Sequence, residues 1–209
     1  MATISEPHSG TPTAPSSSSM SGGWTPSNPA PLGLAGFGLT TLVLSVMNAN
    51  LVNASGTPVV LGMAMAMGGL CQLLAGMWEF RTGNTFGAVA FSSYGAFWIS
   101  FFILVSFDAV KIPAGEAGSA VGLYLWAWGI FTGLLFLCTF ASSRALQLLF
   151  LLLTITFILL GIGNAGGTSS MVHAGGWFGI VTAAVALYIM TADVMKAVYK
   201  RSVLPLGEP

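Results

Sequence analysis

Asn28-Pro29-Ala30-Pro31-Leu32-Gly33-Leu34-Ala35-Gly36-Phe37-Gly38 is the point at which a polar chain becomes an apolar one. Residues 1–27 hold eight serines and four prolines with no Lys or Arg, and most of the chain beyond residue 38 is apolar. Asn28 is a good helix N-cap. Pro29 at the first helical position forfeits only an N–H that would be orphaned anyway, and Pro31 still falls within the first turn. The stretch therefore predicts a helix start. Gly33, Gly36 and Gly38 then leave an apolar strip that another helix, or a solute, can approach closely.

The remainder has the composition of a bilayer protein. The 209 residues are 55% hydrophobic and 6% charged, with mean hydropathy +0.84, whereas a soluble domain carries about 25% charged residues. Apolar segments lie at 29–52, 58–79, 86–107, 119–141, 145–163 and 172–196, each near the ~20 residues that cross a bilayer. The expected fold is an all-α integral membrane protein of six transmembrane helices. Residues 1–27 read as a disordered Ser/Pro-rich tail rather than a secretory signal, 28–200 as the membrane domain and 201–209 as a short C-terminal tail. Residues 108–118 form the longest expected loop, so there is no room for a soluble catalytic domain. A net charge of zero gives no reason to expect a nucleic-acid partner. Cys71 and Cys138 sit in apolar runs and read as buried small residues. No cofactor or metal pattern is present, and none is expected.

An even number of spans puts both termini on one side. Arg81, Arg144, Lys196, Lys200 and Arg201 then share that side, with Lys111 alone opposite. By the positive-inside rule both termini are cytoplasmic, in a multi-pass protein of the plasma membrane, or of the inner membrane if the cell is bacterial. Small residues recur at packing spacing in Gly62/Ala66, Gly129/Gly133 and Gly175/Gly179/Ala183, chiefly for helix packing within the subunit.

The opening motif, Asn-Pro-Ala-Pro-Leu-Gly-Leu, is followed in order by Gly83-Asn84-Thr85-Phe86-Gly87, Ser93-Tyr94-Gly95-Ala96-Phe97-Trp98 and Gly161-Ile162-Gly163-Asn164, and then by Val203-Leu204-Pro205-Leu206-Gly207-Glu208. Across residues 28–208 the chain resembles the acetate uptake transporter family, the succinate–acetate permeases. The resemblance implies a central pathway within each protomer, acetate and other small carboxylates including succinate as solutes, and a homohexamer. It also matches Phe37, Tyr94 and Leu153 to a hydrophobic constriction.

A depth count agrees with that constriction. Phe37 lies eight residues beyond Pro29, Tyr94 eight beyond Phe86 and Leu153 eight beyond Ala145, which is about 12 Å along each outward-running helix. A greasy neck excludes hydrated ions and tolerates a methyl group, while a bare carboxylate is costly there. Passage is thus expected to be channel-like or proton-coupled, with protons as a second partner. On the cytoplasmic side the candidates are Asn28, the Ala30 and Leu32 N–H groups, Glu79, Asn84 and Thr85. Glu79 also reads as an interfacial ion pair with Arg81. Thr40, Thr41 and Gln72 lie nearer the middle. Asn50, Asn164 and His173, with Asn48 and Asn53, form an outer vestibule. Each has a plainer role available, as a cap, a helix-bonded hydroxyl or a water-facing amide.

Two other classes compete. An intramembrane enzyme would need a base or metal ligands at depth; His8 and His173 cannot supply a histidine metal site, and neither HExxH nor GxSxG occurs. An acetate-binding sensor without transport would show binding without flux. No three-plus-three repeat is visible, which leans towards a channel-like path.

Overall fold

The computed structural model describes Trp24, residues 26–108 and residues 111–207. Most of the expected N-terminal tail lies outside the described residues. The six apolar helices are α1 (Ala30–Asn48), α2 (Thr57–Thr82), α3 (Thr85–Phe107), α4 (Ala114–Ala141), α5 (Arg144–Ala165) and α6 (Ser169–Tyr199), each long and apolar enough to cross a bilayer. Among the described residues there is no strand.

The proline pair starts α1 one residue later than the sequence suggests. Pro29 takes the cap position, Ala30 is the first helical residue, and Asn28 Oδ1 accepts the Ala30 N–H at 3.0 Å. Helix α4 corrects the expected loop more substantially. It begins at Ala114 rather than 119, on a Pro113 cap in extended geometry with Glu116 in its first turn. That turn is too polar for hydropathy to count, yet an acidic residue near a helix N-terminus is favourable.

The helices pack in chain order with α1 against α6, and α3 meets α4 through side chains, which completes a ring. Three seams are drawn tight by small residues. A Cβ at Gly95 on α3 would stand 2.7 Å from the Leu73 N on α2. At Gly176 on α6 one would stand 2.6 Å from the Asn48 carbonyl carbon on α1, and at Gly122 on α4 one would stand 3.0 Å from the Ala165 N on α5. In hydrocarbon, where lipid tails solvate apolar side chains as well as the protein does, such backbone proximity supplies much of the helix association. The α3–α4 seam is different. There Phe97 stacks on Tyr124 at 5.6 Å and meets Trp128 edge-on at 5.1 Å.

The small-residue stripes divide accordingly. Gly175 and Gly179 pack on α5 and α1, Gly129 lies against Phe157, and nothing lies within 4 Å of a Cβ at Gly62. Gly62 and Ala66 are exposed, so that stripe is not an internal contact. Cys138 is likewise exposed and Cys71 half-buried, against the expectation of two buried thiols.

Two local departures matter for the interior. Residues Ala64–Cys71 of α2 are π-helical, a widened turn often found at functional positions. Gly36 of α1 packs there against the Met67 carbonyl, and Gly68 against the Trp98 ring. At the other end of the chain, residues of the expected C-terminal tail fold back onto the bundle. Gly207 O and Leu206 O accept the first N–H groups of α5 at 2.8 and 3.0 Å, and Tyr188 donates to Pro205 O at 2.7 Å.

Backbone proximity sets a clear expectation. A Cβ at Gly76 would stand 2.5 Å from the Ser92 N, so Gly76→Ala should destabilise by about 1–3 kcal/mol. Gly62→Ala should stay within about 0.5 kcal/mol of wild type. Thermal unfolding in detergent, followed by tryptophan fluorescence, measures both; equal effects would contradict the seam assignment.

Candidate solute pathway

Phe37 from α1, Tyr94 from α3 and Leu153 from α5 meet in one buried cluster, at 5%, 3% and 4% exposure. The Phe37 and Tyr94 rings lie 5.9 Å apart. Tyr94 is further walled by Phe131 at 5.8 Å, Trp128 at 6.1 Å and Phe150 at 6.3 Å. Its hydroxyl is 2.9 Å from Thr132 Oγ1 on α4. Thr132 donates its single proton to the Trp128 carbonyl at 2.7 Å, so Tyr94 must be the donor in the pair. The tyrosine proton is therefore committed to the protein.

Two cavities lie on either side of this cluster. One, of about 530 Å³, is on the side of the chain termini and is lined by Ala30, Asn84, Ser143 and Leu206 among others. The other, of about 280 Å³, is on the opposite side and is lined by Asn48, Thr57 and Asn164 among others. Their linings share three residues, Phe37, Tyr94 and Leu153.

The remaining candidates separate by helical phase. Ala30, Gln72 and Asn84 line the terminal-side cavity, and Thr41 and Asn164 the opposite one. Leu32, two residues on from Ala30, is 45% exposed on the outer surface. Thr40, one residue before Thr41, turns away and donates weakly to Met63 O at 3.5 Å. Asn28, Thr85 and Asn50 are exposed and line neither cavity; Asn50 holds a left-handed turn at φ 59°. His173 lies in the early turns of α6, half-buried, and lines neither of these cavities.

The first turn of α1 does not offer the donors expected of it. The Ala30 N–H is taken by Asn28, and the Leu32 N–H turns to Pro29 O at 3.1 Å. Glu79 also departs from expectation. It is buried at 1% exposure while Arg81 is exposed, and the expected ion pair does not form. Residues two apart on a helix do not face each other. Glu79 Oε2 instead accepts from Thr82 Oγ1 at 3.1 Å, and its carboxyl lies over Gly87, where a Cβ would stand 2.8 Å from Cδ.

Buried polar atoms without a protein partner are few among the described residues. Gln72 has both amide atoms unpaired at 0% exposure, and the Thr41 hydroxyl is unpaired on the other side of the cluster. Leaving such groups unmatched costs on the order of 1–3 kcal/mol each. Sequence reading missed Thr132 as the partner of Tyr94. It missed as well Tyr124, whose hydroxyl is 2.7 Å from Ser100 Oγ beside the second cavity. A polar residue isolated in an apolar helix was the available signal.

A ring of apolar helices enclosing two cavities parted by an apolar cluster defines a membrane transport protein. The chain belongs to the GPR1/FUN34/yaaH family, whose model matches residues 15–206. It is 39% identical over 181 residues to the succinate-acetate/proton symporter SatP of Escherichia coli, covering 87% of this chain and 95% of that protein. It is 41% identical over 195 residues to acetate permease A of Emericella nidulans, covering 86% of this chain and 65% of that one. The solved structure of the bacterial acetate channel SatP superposes with a TM-score of 0.82 at 38% identity, covering 87% and 99% of the two chains. This is a family of transporters and channels, not of enzymes.

The Tyr94–Thr132 bond has a measurable consequence. Tyr94→Phe and Thr132→Val should each cost about 1 kcal/mol of stability, and the double variant little more than either alone. Strict additivity of the three melting shifts would mean that the two hydroxyls are not coupled.

Proposed function

We propose that this protein carries acetate and related small carboxylic acids, succinate among them, across the membrane along the line from one cavity to the other. Phe37, Tyr94 and Leu153 form the constriction, and the observation that carries the reading is that the two cavities share these three walls and no others. The names of the relatives support the solute class: a succinate-acetate/proton symporter, an acetate permease and an acetate channel.

An apolar neck rejects hydrated ions because they cannot replace their water there. A small acid crosses it at lower cost when neutral, since an unpaired charge in a low-dielectric site is heavily penalised. Ala30, Gln72 and Asn84 receive the solute on the side of the termini, and Thr41 and Asn164 on the other. The terminal side is cytoplasmic by the distribution of basic residues, and the protein sits in the plasma membrane or bacterial inner membrane. The exposed Gly62/Ala66 face suits contact between copies in a homo-oligomer, a hexamer by family resemblance.

Purified protein in liposomes, supplied with labelled acetate under an imposed pH gradient, tests the proposal. Uptake should exceed that of protein-free liposomes. Phe37→Ala should raise the flux of a bulkier acid such as benzoate relative to acetate, because the ring that parts the cavities is gone. Uptake equal to the lipid leak under every gradient would defeat the transport reading.

A further inference from the structure

The wall of the terminal-side cavity is built from helices and their connections, with one exception. Leu206 reaches it from beyond the last helix. Helix α6 ends at Tyr199 on a left-handed Lys200, φ 56°, which turns the chain back towards the bundle. Residues 203–207 then form a strap with alternating faces: Leu204 and Leu206 are half-buried, while Val203, Pro205 and Gly207 are exposed. A further cavity, of about 320 Å³, lies between the strap and Asp193 and Lys196 of α6. Lys196 and Ser202 in its lining are exposed, so it faces the terminal-side surface. Its lining shares two residues with the terminal-side cavity, Leu206 and Asp193.

We propose that this strap is a second, movable restriction of the pathway, and that Leu206 is the residue that sets it. This rests on the transport reading above. The solute enters beside the strap between α5 and α6, passes Leu206 and reaches the cavity before the neck.

The strap ties α5 to α6 across that mouth by three hydrogen bonds, in each of which a strap carbonyl accepts. Helix α5 donates the Arg144 N–H to Gly207 O at 2.8 Å and the Ala145 N–H to Leu206 O at 3.0 Å. Tyr188 of α6 donates to Pro205 O at 2.7 Å. All three donors belong to exposed or half-buried residues, so water can satisfy them once the strap lifts, and no buried donor is orphaned. Helix α5 also keeps its own cap, because Ser143 Oγ accepts the Leu146 N–H at 3.4 Å. Elsewhere in the bundle, glycine seams hold backbone against backbone, and parting them would forfeit close packing. The strap is the part of this wall with least to lose by moving.

A reversible lock tests the proposal. A Cβ at Gly207 would stand 2.9 Å from Arg144 Cβ, so a small outward shift reaches the roughly 3.5–4.5 Å of a disulfide. The full chain carries Arg144→Cys and Gly207→Cys, with Cys71→Ala and Cys138→Ala removing the native thiols, and is placed in liposomes. Oxidation should cut labelled acetate uptake severalfold, reduction should restore it, and either single cysteine should respond to neither treatment. Unchanged uptake once mass spectrometry shows the bridge formed would overturn the proposal. A cysteine at φ 68° is strained, so a second measurement covers failure of the bridge to form. Leu206→Cys is treated with a charged methanethiosulfonate in the same background. Adding Tyr188→Phe, which releases Pro205 O, should speed that modification about threefold, and the modified protein should take up acetate more slowly. An unchanged modification rate, or modification without effect on uptake, overturns the proposal equally. Flux equal to leak in the reduced protein would instead defeat the transport reading itself.

Discussion

The interior depends on how Tyr94 is held. Its hydroxyl donates to Thr132 on α4, and its ring is flanked by Phe37 from α1 and Phe150 from α5. One side chain from α3 thus links three other helices at the centre of the ring. Its proton is consumed by the protein, so the ring wall is fixed in position and offers the pathway no donor. Removing the phenol would leave a hole at the one place where the two cavities approach each other.

The seams explain why the path runs where it does. Around most of the ring, glycines bring backbones together so closely that no solute could pass between them. Across α3 and α4 the helices stay apart, and the space is filled by Tyr94, Phe97, Tyr124 and Trp128. The ring is thus tight at its glycine seams and aromatic at its α3–α4 seam.

The polar groups are distributed by the same logic. Several threonine hydroxyls deep in the bundle return to their own helix, as Thr156 does to Leu152 O and Thr182 to Phe178 O at 2.8 Å. Those bonds satisfy the side chain and leave nothing for a solute. Gln72 and Thr41 are different because they retain unpaired capacity at the two cavity walls. Their unmatched state is a cost that packing elsewhere must offset.

Much of this was legible in the chain itself. Length and hydropathy alone determine six spans, since only long apolar helices satisfy their own backbone in lipid. The ordered motifs pointed to Phe37, Tyr94 and Leu153, which do gather in one cluster. Tertiary structure decided which polar residues reach the cavities, because a step of one or two residues turns a side chain by about 100–200°. Hence Thr41 lines a cavity and Thr40 does not, and Leu32 faces outward although Ala30 faces in. It also decided that Glu79 is buried away from Arg81, that the residues before Gly207 close over α5, and that the tyrosine proton belongs to Thr132. Each of these turns on the phase of one helix against another, a quantity that apolar composition leaves open.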